Sequence, residues 1–353
     1  MSGAHGPTAT SPAPRRLTVS AIVPTKNRPA LLGVAVPALL AQSVPVDELI
    51  VVDQSEHDAG RRLVTALVAE LPAARRPRLD YVLDPTINGA AAARNAGLDR
   101  AGGDILLCCD DDVVADPDVV ERLLAHYRAA PECAGLAPVI TNYPLPTRLR
   151  RLYRWLFERG PFRDERQRVY WHWQRYTEPT RVPVRMFTGA MMSFRRAALG
   201  GLRHDPRYRG ASVGEDIDLC WALRRRGGRL ALATDARIVH NRAPRPAIRP
   251  EEAQIASWGF LYDKHLPKTP ATRLAFGWYV VGIFAGAAIG AVRGRTLAPL
   301  GSALAGVRAW RTDYAGSSFL DPRPPEPDPG KPAPRRALDS VTTASSRRRS
   351  GVR

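Results

Sequence analysis

From residue 17 onward, short apolar runs alternate with longer stretches of helical periodicity. That rhythm predicts repeated βαβ units and a largely parallel sheet. Strands are expected at 17–23, 48–52, 79–83, 105–109 and 134–140, and helices at 30–42, 61–71, 90–100 and 117–129. Pro37 falls inside the first of these helices. The last has a clear start, with Asp116 as N-cap and Pro117 at the first helical position.

Residues 142–186 break the rhythm. Arg148, Arg150, Arg151, Arg154, Arg159, Arg163, Arg166 and Arg168 crowd one segment. Leu149, Leu152, Tyr153 and Leu156 recur at i, i+3, i+4 and i+7, which predicts one apolar face of a short helix. Trp155, Tyr170, Trp171 and Trp173 add amphipathic aromatics. Strand-like runs return at 186–194, 230–233 and 237–239, and a helix at 217–226 is ended by Gly227-Gly228. Residues 274–292 carry no charge. At 1.5 Å per residue such a helix reaches across a hydrocarbon core of about 30 Å. Gly282, Gly286 and Gly290 form a small-residue stripe that allows close helix approach, and Trp278 and Tyr279 sit near one end. A weaker apolar stretch follows at 297–307. Spanning, interfacial and buried readings all fit this region, and basic residues on both flanks give no orientation. Residues 1–16 and the Pro-, Arg- and Ser-rich tail 316–353 are expected to be disordered.

Composition narrows the class. The 353 residues are 44% hydrophobic and 24% charged, which excludes a wholly disordered, fibrous or polytopic membrane protein. The net charge of +18 points to an anionic partner without choosing among nucleic acid, lipid and phosphorylated small molecules. Only four basic residues are Lys, so the excess is carried by Arg. Eight of those Arg lie in 148–168 against Glu158, Asp164 and Glu165. Four Cys with no CxxC argue against a disulfide framework or zinc site and for buried thiols in a reducing compartment. No apolar run precedes Arg15-Arg16, so no secretory signal is expected.

Three carboxylate groupings carry candidate chemistry. Asp110-Asp111-Asp112 directly follows the apolar run 105–109. Carboxylates at the carboxyl end of a parallel strand lie where α/β sheets bind ligands, and clustered Asp oxygens suit Mg²⁺ or Mn²⁺. Glu215-Asp216 with Asp218 opens a helix, either as ordinary capping and dipole chemistry or as a general base. Asp53 ends the second strand, where a carboxylate can hydrogen-bond a ribose or base. Neither a GxGxxG nor a GxxxxGK[ST] accompanies the first strand.

Read in order, Pro24-Thr25, Asp53, Asn88-Gly89 with Arg94-Asn95-Ala96-Gly97, the triple Asp, Thr188-Gly189-Ala190 and Gly214-Glu215-Asp216 resemble the inverting family 2 glycosyltransferases of GT-A fold, over about residues 17–245. The resemblance implies a GT-A α/β fold: a mostly parallel sheet flanked by helices, here with a C-terminal apolar helical extension. It implies that Pro24, Thr25 and Asp53 contact the nucleotide and that Arg94, Asn95, Asp110 and Asp111 lie beside it. By the same resemblance Asp112, Asp110 and His240 hold a Mg²⁺ or Mn²⁺ ion, and Asp216 is the catalytic base. Partners would be a nucleotide-sugar donor and a glycan or lipid-linked acceptor, with membrane association at the cytoplasmic face of a bacterial plasma membrane. Gln254 and Trp258 keep the spacing of the QxxRW signature of processive synthases, but Ser257 stands where Arg belongs, so a non-processive enzyme is expected. The expected organisation is a catalytic domain at 17–245, with an acceptor-side insert at 142–186, then a membrane-associated helical extension at 246–315. Two rival classes are a basic nucleic-acid-binding protein and a non-catalytic glycosyltransferase-like scaffold. The first lacks a recognised binding module, and the second leaves the retained carboxylates unexplained.

Overall fold

The computed structural model describes residues 15–163, 178–210, 213–242, 249–312 and 314. Expectations for Arg166, Arg168, Tyr170, Trp171, Trp173 and the two chain ends beyond this range lie outside the described residues. The chain divides into units 1–322 and 323–353, and everything below concerns the first.

Among the described residues nine strands form one sheet: β1 (Val19–Thr25), β2 (Glu48–Asp53), β3 (Arg78–Leu83), β4 (Ile105–Cys109), β5 (Val113–Ala115), β6 (Cys133–Ile140), β7 (Arg181–Pro183), β8 (Met191–Arg195) and β9 (Arg229–His240). Their order is β3-β2-β1-β4-β8-β6-β9-β5, with β7 also on β9. The first four strands pair in parallel, as the βαβ rhythm predicts. Beyond β4 the sheet is mixed: β8 runs antiparallel between β4 and β6, and β9 runs parallel to β6. The helices are α1 (Pro29–Leu40), α2 (Ala59–Ala69), α3 (Ala90–Leu98), α4 (Val119–Ala129), α5 (Arg148–Phe157), α6 (Arg196–Leu199), α7 (Glu215–Arg225), α8 (Pro250–His265), α9 (Pro270–Gly294) and α10 (Ala298–Thr312).

The central strands β1, β2 and β4 are buried on both faces, which is why they read as apolar runs rather than alternating ones. Successive side chains still point to opposite sides. Val23, Val51 and Leu107 join Leu32, Val36, Val64 and Leu123 from α1, α2 and α4 in one core. Ile22, Val52 and Cys108 join Leu98, Ile217, Trp258 and Tyr279 from α3, α7, α8 and α9 in the other. All four cysteines are buried free thiols, and burial pushes Cys108 up to about 12.

Several boundaries differ from expectation for local reasons. Helix α4 starts after Asp118 rather than Asp116: the Asp116 backbone N–H bonds to the Arg237 carbonyl of β9, Pro117 stays ahead of the helix, and the Asp118 side chain makes no capping hydrogen bond. The runs at 230–233 and 237–239 are one strand, β9, with a register shift against β6 between Pro138 and Val139. Only the end of the 186–194 run is strand, because the Gly189 backbone bonds to side chains instead of a ladder. Helix α8 has no apolar stripe to find: its residues from Ile255 to Tyr262 are all buried. There Gln254 donates to the Tyr279 hydroxyl at 2.7 Å and Trp258 packs between Trp221 and Tyr279, so the QxxRW-like pair builds core.

Candidate active site

The site lies at the carboxyl ends of β1, β2 and β4, where the sheet order switches direction around β1. Register pairs Thr25 with Asp53 at the tips of β1 and β2. Asp53 is buried, with Oδ1 accepting from the Ser55 N–H at 3.0 Å and Oδ2 from the Tyr81 hydroxyl at 2.7 Å. Pro24 sits one residue back, fully within β1. The hydroxyl of Thr25 donates to Asp111 Oδ2 at 2.7 Å, and Arg28 approaches the other oxygen at 3.4 Å. The side chain of Asp111 is thus turned toward the β1 loop, away from its two neighbours' cluster. Burial pushes its carboxyl up to about 6, against the pull of Thr25 and Arg28.

A metal-type cluster forms on the other side of the turn. Asp110, Asp112 and His240 offer three ligand atoms within 4.8 Å of one another. The device that builds it is the short antiparallel pairing of β5 with β9, which sets Val113 opposite His240. The Asn241 N–H also bonds to the Asp112 carbonyl at 2.8 Å. His240 Nε2 consequently stands 3.0 Å from Asp112 Oδ1. Its Nδ1 meets the Tyr143 hydroxyl at 2.6 Å, and that hydroxyl accepts from Arg242 Nε at 2.8 Å. Asn142 brackets the His240 backbone from both sides, at 3.0 and 3.1 Å. This outer layer fixes the ring orientation, as partners of metal-bound imidazoles do. Two carboxylates and an imidazole suit Mn²⁺ or Mg²⁺. Ligand atoms about 2.2 Å from an ion lie at most about 4.4 Å apart, so the donors need close by only a few tenths of an ångström.

Arg94 connects this cluster to the acidic helix start. It is 2% exposed, and its guanidinium donates to Asp110 Oδ1 at 2.6 Å, to Glu215 Oε1 at 3.0 Å and to the Gly189 carbonyl at 3.3 Å. Burial opposes the charge, but Asp110 and Glu215 together hold Arg94 firmly protonated. Burial likewise raises Asp110, with Arg94 pulling the other way. Gly189 is required for the close approach, since a Cβ there would lie 2.9 Å from Arg94 Nη2. The N–H of the same Gly189 donates to Asp216 Oδ2 at 2.8 Å, while Asp216 Oδ1 accepts from the Ile217 N–H at 2.8 Å. Gly214, at φ +103°, supplies the left-handed turn that starts α7 with these acids in its first turn.

Four residues have contacts that the sequence did not state. The Asn95 amide is engaged at both ends by the His204 backbone, at 2.8 Å each way, so it clamps the loop around residue 204. Glu215 holds Arg94, a role that its place beside Asp216 did not reveal. Tyr143 lies next to the metal-type cluster, although its segment shows no chemical motif. Asp218, third acid of the helix start, belongs to neither cluster: it is buried and bonds to Lys264 at 2.7 Å and His265 at 2.6 Å on α8.

His204 supports α7 from below, its Nδ1 meeting the Glu215 carbonyl at 3.1 Å. Burial, reinforced by the charge of Arg94, lowers its pKa to about 4. A folded value below the unfolded 6.5 means that protonation favours the unfolded chain. Stability from this group is therefore complete above about pH 6.5 and is lost as pH falls toward 4. Urea unfolding is expected to show about 2 kcal/mol more loss between pH 7 and pH 5 in the natural chain than in His204→Gln. Equal losses would mean that the ring is not held neutral.

A family model for glycosyl transferase family 2 matches residues 20–200. The chain is 26% identical over 308 residues to the validoxylamine A glucosyltransferase of Streptomyces hygroscopicus subsp. jinggangensis, covering 79% of this chain and 67% of that one. It is 30% identical over 143 residues to the glycosyltransferase YwdF of Bacillus subtilis, 38% of this chain, and spans about half of YwdF, 49%. Among solved structures, residues 1–349 of TarS from S. aureus superpose with a TM-score of 0.53 at 14% identity, covering 85% of this chain and 82% of that one. The mannosyltransferase PcManGT from Pyrobaculum calidifontis, solved with GDP-Man and Mn²⁺, gives 0.50 at 20% identity, over 89% and 88%. These likenesses show the GT-A fold. With more than half its length matched, in the segment that builds the Thr25, Asp53, Arg94 and triple-Asp side of the site, the chain belongs to glycosyl transferase family 2.

Proposed function

We propose that this protein transfers a glycosyl group from a nucleotide-diphosphate sugar to an acceptor hydroxyl, with inversion and with help from a divalent cation. The observation that carries the reading is the Arg94 bridge. One buried guanidinium ties Asp110 of the metal-type cluster to Glu215, and through Gly189 it adjoins Asp216. A cation site and a base carboxylate thus share one rigid wall. The Mn²⁺ and GDP-Man held by the structurally similar mannosyltransferase fit the same donor class.

Asp110, Asp112 and His240 would hold the cation, which when bound neutralises charge on the leaving diphosphate. Thr25 and Asp53, paired across the strand tips, would take the nucleoside, and Arg94 with Asp111 would frame the diphosphate side. Asp216 accepts the proton of the acceptor hydroxyl. The oxygen attacks the anomeric carbon from the face opposite the leaving group. The bond to the diphosphate oxygen breaks, and the nucleoside diphosphate departs with the electron pair. A single displacement of this kind inverts the anomeric configuration. Asp216 keeps both backbone hydrogen bonds throughout, so its proton-accepting lone pairs stay aimed at one place.

The reading extends to a non-processive enzyme acting on a glycan or lipid-linked acceptor at the cytoplasmic face of a bacterial plasma membrane. Residues 17–245 supply the chemistry, 142–186 the acceptor side, and 246–315 the attachment. The test is release of nucleoside diphosphate from a panel of sugar nucleotides, with and without Mn²⁺ or Mg²⁺, in the presence of membrane lipid extract. Cation-dependent release from one donor, with a product of one or a few added sugars, is expected. Release that ignores the cation would remove metal assistance, a long product ladder would remove the non-processive assignment, and no release from any donor would overturn the proposal.

A further inference from the structure

Helix α9 is long and apolar enough to cross a membrane by length and composition. Its packing points elsewhere. Phe276, Tyr279, Ile283, Ala287 and Ala291 recur along one side of the helix and are buried. Leu274, Trp278, Val281, Ile289 and Val292 recur along the opposite side and are exposed, Leu274 at 75% and Val292 at 80%. At about 100° per residue these five lie within a sector of roughly 80°. One side of α9 is therefore core and the other is an uninterrupted apolar stripe.

Helix α5 extends that stripe. Tyr153 donates to the Gly282 carbonyl at 2.6 Å, at the middle of α9, and the Trp278 indole donates to the Leu156 carbonyl at 2.7 Å. Gly282 is what lets α5 approach: a Cβ there would meet Phe157 at 2.5 Å. Beside this contact α5 leaves Leu149, Leu152 and Trp155 exposed, at 67%, 56% and 63%. Isolated apolar residues on a surface are ordinary, but two adjoining helices that each expose several apolar side chains mark an interaction surface.

We propose that α5 and α9 together lie in the plane of an anionic membrane, as an interfacial attachment rather than a span. Charge identifies the occupant. Residues 266–312 contain six basic residues and no acidic one. Arg150, Arg151 and Arg159 fringe α5, and Arg273, Arg293 and Arg295 mark the ends of α9, all six exposed. Trp155 and Trp278 sit on the apolar side, where amphipathic rings belong at a lipid headgroup boundary. Geometry argues against spanning. Because α5 crosses α9 at its midpoint, a spanning α9 would carry Arg150, Arg151 and the buried Arg154–Glu158 ion pair to the depth of the hydrocarbon centre. Charged guanidinium groups are costly at that depth. Lying flat, the same arginines reach headgroup phosphates.

The attachment also has a defined relation to the site. Tyr143, on the His240 ring, precedes Leu149 by six residues, so the apolar face starts within about 22 Å of the metal-type cluster. An acceptor hydroxyl carried on a lipid headgroup would be delivered along the same surface.

The experiment uses the full chain in two arms. In flotation, the natural protein is expected to rise with phosphatidylcholine vesicles containing phosphatidylglycerol and to stay down with phosphatidylcholine alone. Binding should fall about tenfold or more in Val281→Glu and in Ile289→Glu, both exposed on the bare side of α9, with melting temperature and donor affinity unchanged. In labelling, Ala271→Cys and Thr296→Cys place a thiol at either end of α9, against a background of four buried native cysteines. In sealed membranes from expressing cells, an impermeant maleimide should reach both from the same side. Labelling from opposite sides would establish a span and overturn the proposal. Failure to float with anionic vesicles, together with a dimer in sedimentation that Val281→Glu breaks, would assign the stripe to a second copy of the chain instead. The inference rests on the membrane-side acceptor proposed above, and donor affinity, titrated without lipid, reads the transfer site by itself, so failure of the attachment is distinguishable from failure of the proposed reaction.

Discussion

Asp216→Asn is expected to lower transfer by about a thousandfold while leaving donor affinity within a few-fold of the natural protein, since positioned general bases contribute 10²–10⁴. The structure says why both halves should hold. Thr25 is held by Asp111, Asp53 by Ser55 and Tyr81, and Arg94 by Asp110 and Glu215, so replacing Asp216 leaves these groups in place. The carboxylate instead accepts from two backbone N–H groups, of Gly189 and Ile217. An Asn can satisfy one of them with its carbonyl but turns its amide toward the other. About 1–3 kcal/mol of stability should go with that lost bond, which thermal melting will detect separately from the loss of chemistry. Stopped-assay measurement of glycosyl product, beside calorimetric titration of donor, distinguishes the two. Near-full transfer by a folded Asp216→Asn protein would place the base elsewhere.

Asp112→Ala should abolish cation-dependent donor binding, with an expected loss of at least about a hundredfold in Mn²⁺ affinity, the upper range already seen for outer-layer partners of a metal. Asp112 is the residue where three constraints meet: it directly precedes β5, its carbonyl accepts the Asn241 N–H, and its carboxylate faces His240. Removing the side chain leaves the ring and the Asp110–Arg94 bond in place, so the fold should survive. Titration of Mn²⁺ alone, followed by donor with and without the ion, gives the readout. Unchanged Mn²⁺ affinity would mean that the three donor atoms gathered here do not form the cation site.

Much of this site was legible because strand ends are local facts. An apolar run that stops at consecutive Asp residues identifies the carboxyl end of β4 whatever lies around it. Thr25 and Asp53 follow the same rule at β1 and β2. His240 was different, since its position depends on β5, a three-residue strand too short to signal itself, pairing with a strand more than a hundred residues later. The resemblance sets Arg94 and Asn95 together beside the nucleotide, yet on a helix neighbours one apart face different ways. Arg94 faces Asp110, and Asn95 faces the loop at His204. Glu215 and Asp216 likewise share one turn and take separate tasks, one on a guanidinium and one on backbone N–H groups.

The amino-acid sequence by itself determined the βαβ rhythm, the placement of carboxylates at strand tips and the presence of one long apolar helix, because all three follow from local periodicity. Only the tertiary structure decided which carboxylates meet, that Arg94 joins two acids 105 residues apart in the chain, and that α9 has a covered side and a bare one. A sheet brings strand ends together irrespective of their separation in sequence, and a helix that is apolar all round carries no record of which side its own chain will cover.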